Sequence, residues 1–232
     1  MPWRPLPLAS ASLYIHIPFC VQKCAYCDFY SVPADTAGAQ TREAIQAVLE
    51  AEIRQFDYYR EEWRPAKIPS VYIGGGTPSL IPPPLLEKFL AGIKKRLPAP
   101  PLEFTIEANP ESLSEEFLGV CTASGVTRLS LGLQTFDPRC LEALGRRASP
   151  EDNRRALRLL DTLWKGEISL DLMYGLPGQT GRGACADTAE ALEGKPGHIS
   201  LYALTLEEGT PLYSAIQAGK IQAADEARQE AV

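Results

Sequence analysis

Three cysteines lie within eight residues in the stretch Pro18-Phe-Cys-Val-Gln-Lys-Cys-Ala-Tyr-Cys-Asp-Phe29. They are Cys20, Cys24 and Cys27, with the spacing Cys-x3-Cys-x2-Cys. In a [4Fe–4S] cluster each iron takes one ligand from outside, so three cysteines leave the fourth iron open. The spacing therefore predicts a cluster with one open coordination position.

Two other interpretations of the cysteines remain open. A structural zinc site needs four ligands, and no fourth Cys or His follows at a fitting spacing, so a zinc-binding structural module would need a distant fourth residue. His16 lies four residues before Cys20, but in an alternating stretch that predicts a strand. Cys24 and Cys27 could also form a dithiol of the Cys-x2-Cys type.

Composition favours an intracellular globular protein. The 232 residues carry a net charge of −6 and no basic run, which predicts no binding to nucleic acid. No apolar run is long enough to predict a transmembrane segment. The six cysteines are too few and too unevenly placed for a secreted disulfide scaffold, and prolines break the apolar start of the chain. A cytoplasmic location is therefore expected.

Strand-like and helical patterns alternate along the chain. The predicted strands are Leu13–Pro18, Ser70–Ile73, Glu103–Glu107, Arg128–Gly132, Ser169–Met173 and His198–Ala203. The predicted helices are Ala39–Trp63, Pro83–Leu97, Ser114–Ser124, Pro138–Leu144, Pro150–Trp164 and Cys185–Glu193, then Leu212–Ala218 and a helix from about Ala223. The alternation predicts an α/β fold with a parallel sheet, as an open doubly wound sheet or an incomplete barrel.

Distinctive residues follow the predicted strands, where the carboxyl ends of parallel strands form binding sites. The cysteine loop follows the first strand. The later segments are Gly74-Gly-Gly-Thr-Pro78, Glu107-Ala-Asn-Pro110, Gln134 with Asp137, Asp171-Leu-Met-Tyr-Gly-Leu-Pro-Gly-Gln-Thr180, and Tyr202-Ala203-Leu204. Each alone fits an ordinary turn, cap or surface carboxylate. Together they predict one ligand site on the side of the cysteine loop.

Longer motifs carry a family resemblance. The cysteine loop after a first strand resembles the signature of radical S-adenosylmethionine (SAM) proteins. The motifs are Tyr14-Ile-His-Ile-Pro-Phe-Cys20, Gly74–Pro78, Arg128-Leu-Ser-Leu-Gly-Leu-Gln134, Leu144-Gly-Arg146, Asp171–Thr180 and Ser200-Leu-Tyr-Ala-Leu204. As a set they resemble the oxygen-independent coproporphyrinogen III oxidase-like group over residues 12 to 218.

The resemblance implies a partial (β/α)6 barrel with a [4Fe–4S] cluster held by Cys20, Cys24 and Cys27, and SAM on the open iron. If the protein is an active enzyme, the cluster donates an electron to SAM and a 5′-deoxyadenosyl radical forms. That electron would come from a donor such as flavodoxin or ferredoxin. The positions that match the SAM pocket are Tyr14, Tyr26, Gly75, Gly76, Thr77, Glu107, Gln134, Arg146, Asp171 and Ala203.

Two departures favour the heme chaperone branch of this group. Phe29 stands where the oxidases carry a further Cys, and Cys20 lies close to the start of the sequence, without the oxidases' extension. The branch implies heme or porphyrin as ligand, a heme-acceptor protein as partner, and no coproporphyrinogen oxidation, with the oxidase as the alternative. The branch's His-Asn-x2-Tyr-Trp heme motif does not occur in this sequence.

The expected organisation is an N-terminal segment over residues 1–11, the radical SAM core barrel over 12–218, and the beginning of a truncated C-terminal region over 219–232.

Overall fold

The structure is a computed structural model that describes residues 8–35 and 38–224. Its strands are β1 (Leu13–Ile17), β2 (Phe19–Cys20), β3 (Val32–Pro33), β4 (Ser70–Gly75), β5 (Glu103–Ala108), β6 (Arg128–Gln134), β7 (Glu167–Tyr174) and β8 (His198–Ala203). Its α-helices are α1 (Ala39–Trp63), α2 (Pro83–Arg96), α3 (Glu115–Ser124), α4 (Pro138–Ala143), α5 (Pro150–Leu163), α6 (Gly181–Glu193) and α7 (Pro211–Gln217). Two short 3₁₀ helices, Pro78–Leu80 and Pro110–Ser112, follow β4 and β5.

Six strands form one parallel sheet in the order β1-β4-β5-β6-β7-β8. Each strand therefore pairs with the strands that precede and follow it in this sheet along the chain. A doubly wound sheet reverses its strand order partway, and this sheet does not. The predicted α/β fold with an incomplete barrel is confirmed, and the doubly wound alternative is wrong.

The two faces of the sheet differ in chemistry. One face is apolar: Val71, Ile106 and Leu170 are fully buried and belong to a core that includes Leu86 and Leu90 of α2. The alternate positions of the strands carry polar and aromatic residues, which are Tyr14, His16, Tyr72, Glu107, Ser130 and Asp171. Because side chains alternate between the faces of a strand, the helices cover one face and the polar groups share the other.

Local sequence signals explain where helices begin. Ser149 and Asp152 form a reciprocal capping box at the start of α5, and Asp137 caps α4 by accepting from the Arg139 backbone N–H. The prediction of a helix from Cys185 was wrong by four residues, since α6 begins at Gly181. The Thr180 side chain accepts a hydrogen bond from the backbone N–H of Gly183, and this cap fixes the earlier start.

The short parallel pair of β2 and β3 was not predicted from the sequence. Two residues on each side carry too little pattern to be recognised. The pair matters because it closes the base of the cysteine loop. The backbone N–H of Ala34 donates to the carbonyl of Cys20 at 2.8 Å, and the N–H of Val32 donates to the carbonyl of Pro18 at 2.7 Å.

The end of the described chain packs beside the cysteine loop. Leu212 of α7 is buried in a second, smaller core with Leu144, Met173 and Leu204. The predicted helix near Ala223 falls almost entirely outside the described residues, and the boundaries at residues 11 and 218 stay a prediction. Within residues 8–35 and 38–224, no helix is both long and apolar enough to cross a membrane.

Candidate functional site

The cysteine loop lies at the carboxyl end of β1, where the chain passes through β2 before it turns. Cys20, Cys24 and Cys27 are unpaired and partly buried. The loop is held against the rest of the barrel by two backbone hydrogen bonds of Ala25, whose N–H donates to Leu144 and whose carbonyl accepts from Leu212. The motif Leu144-Gly-Arg146 therefore packs directly on the predicted cluster loop.

Each of the three cysteine sulfurs has a hydrogen-bond donor of a different kind. The Thr77 hydroxyl lies 3.7 Å from Cys20 Sγ, and Arg146 Nη1 lies 3.9 Å from Cys24 Sγ. The backbone N–H of Phe29 donates to the Cys27 sulfur. Burial raises the pKa of the Cys24 and Cys27 thiols, and these donors act in the opposite direction. We call Cys20, Cys24, Cys27, Thr77 and Arg146 the rim group.

The rim group fits a cluster better than it fits a single ion. In the described part of the chain, no three His, Cys, Asp or Glu side chains converge as the ligands of one metal ion do. A cuboidal cluster does not require convergence on one point, because each cysteine binds a different iron. Donors aimed at the sulfurs suit the negative charge that such a cluster places on its thiolates.

Arg146 is the centre of the rim. Its side chain is only 5% exposed. Nη2 donates to the carbonyl of Gly132 at 2.8 Å and to Asn109 Oδ1 at 3.2 Å, while Nη1 faces Cys24. Tyr26, in the cysteine loop, also bonds this guanidinium, and burial raises the pKa of its phenol. The arginine thus connects β5, β6 and the cysteine loop, and most of its donors already have protein partners.

A second set of polar residues lies inside the barrel. The Tyr72 hydroxyl donates to Glu107 Oε1 at 2.7 Å, and the Gly75 backbone N–H donates to Glu107 Oε2 at 3.0 Å. The Ser130 hydroxyl donates to Asp171 Oδ2 at 2.8 Å. Burial, and to a lesser degree the nearby charge of Asp171, raises the pKa of Glu107. We call Tyr72, Glu107, Ser130 and Asp171 the interior group.

Tyr14 and His16 extend this interior towards the cysteine loop. The Tyr14 hydroxyl lies 3.0 Å from His16 Nδ1, and its ring stacks on that of Tyr72 with 6.1 Å between centroids. His16 Nε2 lies 2.8 Å from the carbonyl of Tyr30, which follows the last cysteine. Since that carbonyl only accepts, Nε2 carries a proton, and in the neutral ring Nδ1 then accepts from Tyr14.

Close contacts in the structure explain why glycine occupies positions 74 to 76. A Cβ on Gly74 would lie 2.6 Å from the Glu107 carboxylate, and one on Gly75 would lie 2.5 Å from the His16 ring. A Cβ on Gly76 would lie 2.6 Å from the Phe19 carbonyl oxygen. Gly75 also has a φ of +112°, which favours glycine. The glycines thus let β4 approach β1 and Glu107 closely, whatever ligand binds there.

The remaining predicted residues lie on the same edge of the sheet. Gln134 ends β6 at a φ of 64°, next to an irregularity in the pairing with β7. Its amide nitrogen would lie 2.8 Å from a Cβ on Gly132. Ala203 ends β8, opposite Tyr174. The structure thus brings Thr77, Arg146 and Tyr26 together at the rim, and Glu107, Asp171 and Gly75 in the interior.

Four contributing residues were not among the predicted site residues: His16, Tyr72, Asn109 and Ser130. For three of them a signal existed in the alternation of the strands, because they occupy the polar face beside Tyr14, Glu107 and Asp171. Asn109 lies just after β5, and its role depends on contacts with residues more than 30 positions away.

Comparison with known proteins agrees with this geometry. The model of the radical SAM superfamily matches residues 14–185. The heme chaperone HemW of Escherichia coli strain K12 is 39% identical over 210 residues, which cover 88% of this chain and 53% of that protein. HemW of Lactococcus lactis is 40% identical over 200 residues, covering 86% of this chain and 50% of the relative. The chain spans about half the length of the curated relatives it matches.

A solved structure gives the same fold. The radical SAM enzyme coproporphyrinogen III oxidase (HemN) from Escherichia coli superimposes with a TM-score of 0.77 at 23% sequence identity, covering 99% of this chain and 51% of that one. At this identity the likeness concerns the fold alone. The family match, by contrast, begins at Tyr14 and includes the cysteine loop, the glycine triplet, Glu107, Arg146 and Asp171. This chain belongs to the radical SAM superfamily.

Proposed function

We propose that this chain is the cluster-bearing barrel of a radical SAM-type heme chaperone. The observation that carries the proposal is its 35–40% identity with curated heme chaperones from several bacteria over 86–96% of this chain. In this proposal the whole protein binds heme and passes it to an acceptor protein. Phe29, 67% exposed at the edge of the loop, supports this branch over the oxidase, which carries a cysteine there.

The rim and interior groups have separate tasks in the proposal. Cys20, Cys24 and Cys27 would hold a [4Fe–4S] cluster, and SAM would bind on the side of the interior group. When bound, cluster and SAM together supply one-electron cleavage of the sulfonium. Glu107 and Asp171 would accept hydrogen bonds from this ligand and favour its positive charge.

The described residues support this division. The two carboxylates of the interior group are partly buried, and the charge of Asp171 contributes to the raised pKa of Glu107. An ionised Glu107 there costs free energy unless a cation or hydroxyl groups bind to it. Tyr72 and Ser130 donate to these carboxylates, one hydroxyl to each, and leave further lone pairs for a ligand. A flavodoxin- or ferredoxin-like donor would supply the electron.

The first experiment tests the cluster. Anaerobic reconstitution of the chain with iron and sulfide should yield about four of each per protein, with a broad thiolate-to-iron absorbance. Zinc with no iron would instead support the structural zinc module. Adding SAM to the reduced cluster should change its electron paramagnetic resonance (EPR) spectrum, because SAM binds the open iron.

The second experiment tests heme. Titration of the whole protein with heme should produce a shifted Soret band at one heme per molecule, and the heme should then move to an added apo-acceptor such as an apo-cytochrome. A matched incubation with coproporphyrinogen III and SAM under reducing conditions tests the alternative function, that of the oxidase. Formation of protoporphyrinogen without stable heme binding would favour the oxidase.

A further inference from the structure

Asn109 lies between the donors to two of the three cysteine sulfurs. Its Nδ2 is 3.1 Å from Thr77 Oγ1, and its Oδ1 is 3.2 Å from Arg146 Nη2. Thr77 in turn faces Cys20 Sγ, and Arg146 faces Cys24 Sγ. A continuous series of hydrogen bonds therefore runs from one cysteine to another through the side chain of Asn109. We call Thr77, Asn109 and Arg146 the relay.

The chemistry of the relay fixes the direction of every hydrogen bond in it. A guanidinium only donates, so the atom that faces Arg146 must be the amide oxygen of Asn109. The amide nitrogen then faces Thr77, and the Thr77 hydroxyl must accept from it. A hydroxyl has a single hydrogen, and the acceptor next to this one is Cys20 Sγ at 3.7 Å. Asn109 thereby turns the Thr77 hydrogen towards the sulfur.

Thr77 and Arg146, the two donors of the relay, are largely shielded from water, while Asn109 is partly exposed. Thr77 is 3% exposed, and the Arg146 side chain is 5% exposed. The backbone N–H of Asn109 donates to Ser79 Oγ at 3.1 Å, and Pro110, which follows it, is buried. Water therefore competes little for these donors, and their orientation towards the sulfurs is retained.

We propose that Asn109 is a positioning residue that sets the reduction potential of the cluster by orienting the donors to Cys20 and Cys24. The inference rests on the proposed cluster at Cys20, Cys24 and Cys27. Reduction adds an electron to the cluster, and hydrogen bonds and positive charge beside its sulfurs stabilise the reduced state. The relay supplies one neutral and one charged donor, so loss of their orientation lowers the potential.

The test is the midpoint potential of the reconstituted cluster without SAM, measured by EPR-monitored redox titration. Asn109→Asp retains the shape but offers Thr77 an acceptor, which draws its hydrogen away from Cys20. We expect a clear negative shift, and a smaller one for Asn109→Ala. Asn153→Ala is the matched control, because Asn153 is fully buried and its side chain donates to the carbonyls of Leu133 and Thr135, away from the relay. Its potential should equal that of the parent.

A second pair of variants decides the matter if the Asn109 variants do not assemble a cluster. Thr77→Val removes the hydroxyl with little change of volume, and Thr77→Ser retains it. Thr77→Val should shift the potential in the negative direction, and Thr77→Ser should restore the parent value. Potentials equal to the parent in Thr77→Val, or in Asn109 variants with full iron content, overturn the inference. A parent chain that assembles no cluster overturns the proposed function instead.

Discussion

The rim group and the interior group lie at the same end of one barrel, yet they present opposite chemistry. At the rim, Thr77, Arg146 and the backbone N–H of Phe29 each direct a donor at one of the three sulfurs. In the interior, Glu107 and Asp171 present acceptors, supported by hydroxyl donors from Tyr72 and Ser130. One region suits a negatively charged group and the other suits a positively charged or hydroxyl-rich one.

The difference explains how the proposed cluster and SAM can bind at the same end of the barrel, each in its own region. A cluster with thiolate ligands is repelled by carboxylates, and a sulfonium is repelled by a guanidinium. Gly75 lies where the two groups meet, because its backbone N–H donates to Glu107 and Thr77 follows it two positions later. The comparison can be tested by changing one region at a time.

The largest effect is expected at the rim sulfurs. Replacing Cys20, Cys24 or Cys27 with Ala should abolish cluster assembly, because two thiolates cannot hold three of the four irons. Iron analysis after anaerobic reconstitution measures this. Cys185→Ala is the control, since Cys185 is exposed and lies outside both groups. A loss of iron in the control, with retention in a rim variant, would contradict the assignment of ligands.

Next comes the carboxylate of the interior group. Glu107→Gln should weaken SAM binding about 10- to 100-fold, the loss of one charge-assisted hydrogen bond, while iron content stays at the parent value. Calorimetry on the reconstituted protein gives the affinity. Glu103→Gln is the matched control, because Glu103 lies at the opposite end of the same strand, β5, where it forms an ion pair with Arg128. Equal affinities in the two variants would remove Glu107 from the SAM site.

A smaller effect is expected where the groups meet. Gly75→Ala should destabilise the chain by more than Gly178→Ala, which should cost about 1–2 kcal/mol. Both glycines have positive φ, but a Cβ on Gly178 has no neighbour within 4 Å, while one on Gly75 meets the His16 ring. Urea denaturation measures both free energies of unfolding. Equal losses would mean that the approach of β4 to β1 is not constrained by His16.

A weaker effect concerns pH. Burial raises the pKa of Glu107, so the folded chain without ligand binds this proton more tightly than the unfolded chain does. Its contribution to stability therefore declines as pH rises from the unfolded pKa through the folded pKa. Glu107→Gln should leave stability nearly unchanged at pH 4 and raise it at pH 7, relative to the parent. A gain in stability that is larger at pH 4 than at pH 7 would mean that folding lowers the pKa of Glu107.

The last prediction is that this chain does not convert coproporphyrinogen III. With reductant, SAM and coproporphyrinogen III, the chain should form no protoporphyrinogen above a control without protein, because Phe29 stands where the oxidases carry sulfur. Anaerobic incubation followed by chromatography of the porphyrins measures the product. Product above the control level would transfer the proposal to the oxidase branch.

The strands and most helices could be predicted because their signals are local. Alternation marked β1, and Ser149 with Pro150 marked the start of α5 within one residue. The start of α6 was missed because a Thr cap followed by Gly-Arg-Gly carries weak helix propensity. The three cysteines could be proposed as cluster ligands from their spacing alone.

The arrangement within the site could not be predicted to the same depth. Arg146 was identified only through the family motif, and its contact with Cys24 joins residues 122 positions apart. In the sequence Tyr72 is an ordinary strand residue, and only the structure shows that its hydroxyl donates to Glu107. The reason for glycine at positions 74 to 76 depends on which neighbours β4 meets, and sequence patterns do not contain those distances.

The consecutive strand order has a consequence for how the nascent chain matures. Each strand of the sheet after β1 pairs with a strand that is already synthesised, so the barrel can grow from β1 onwards as the chain leaves the ribosome. Cys24, however, is translated 122 residues before Arg146. At about 5–20 residues per second, roughly 6–25 s pass before its sulfur acquires the guanidinium. The thiols of the cysteine loop therefore gain this contact only after six of the eight strands in the described part of the chain exist.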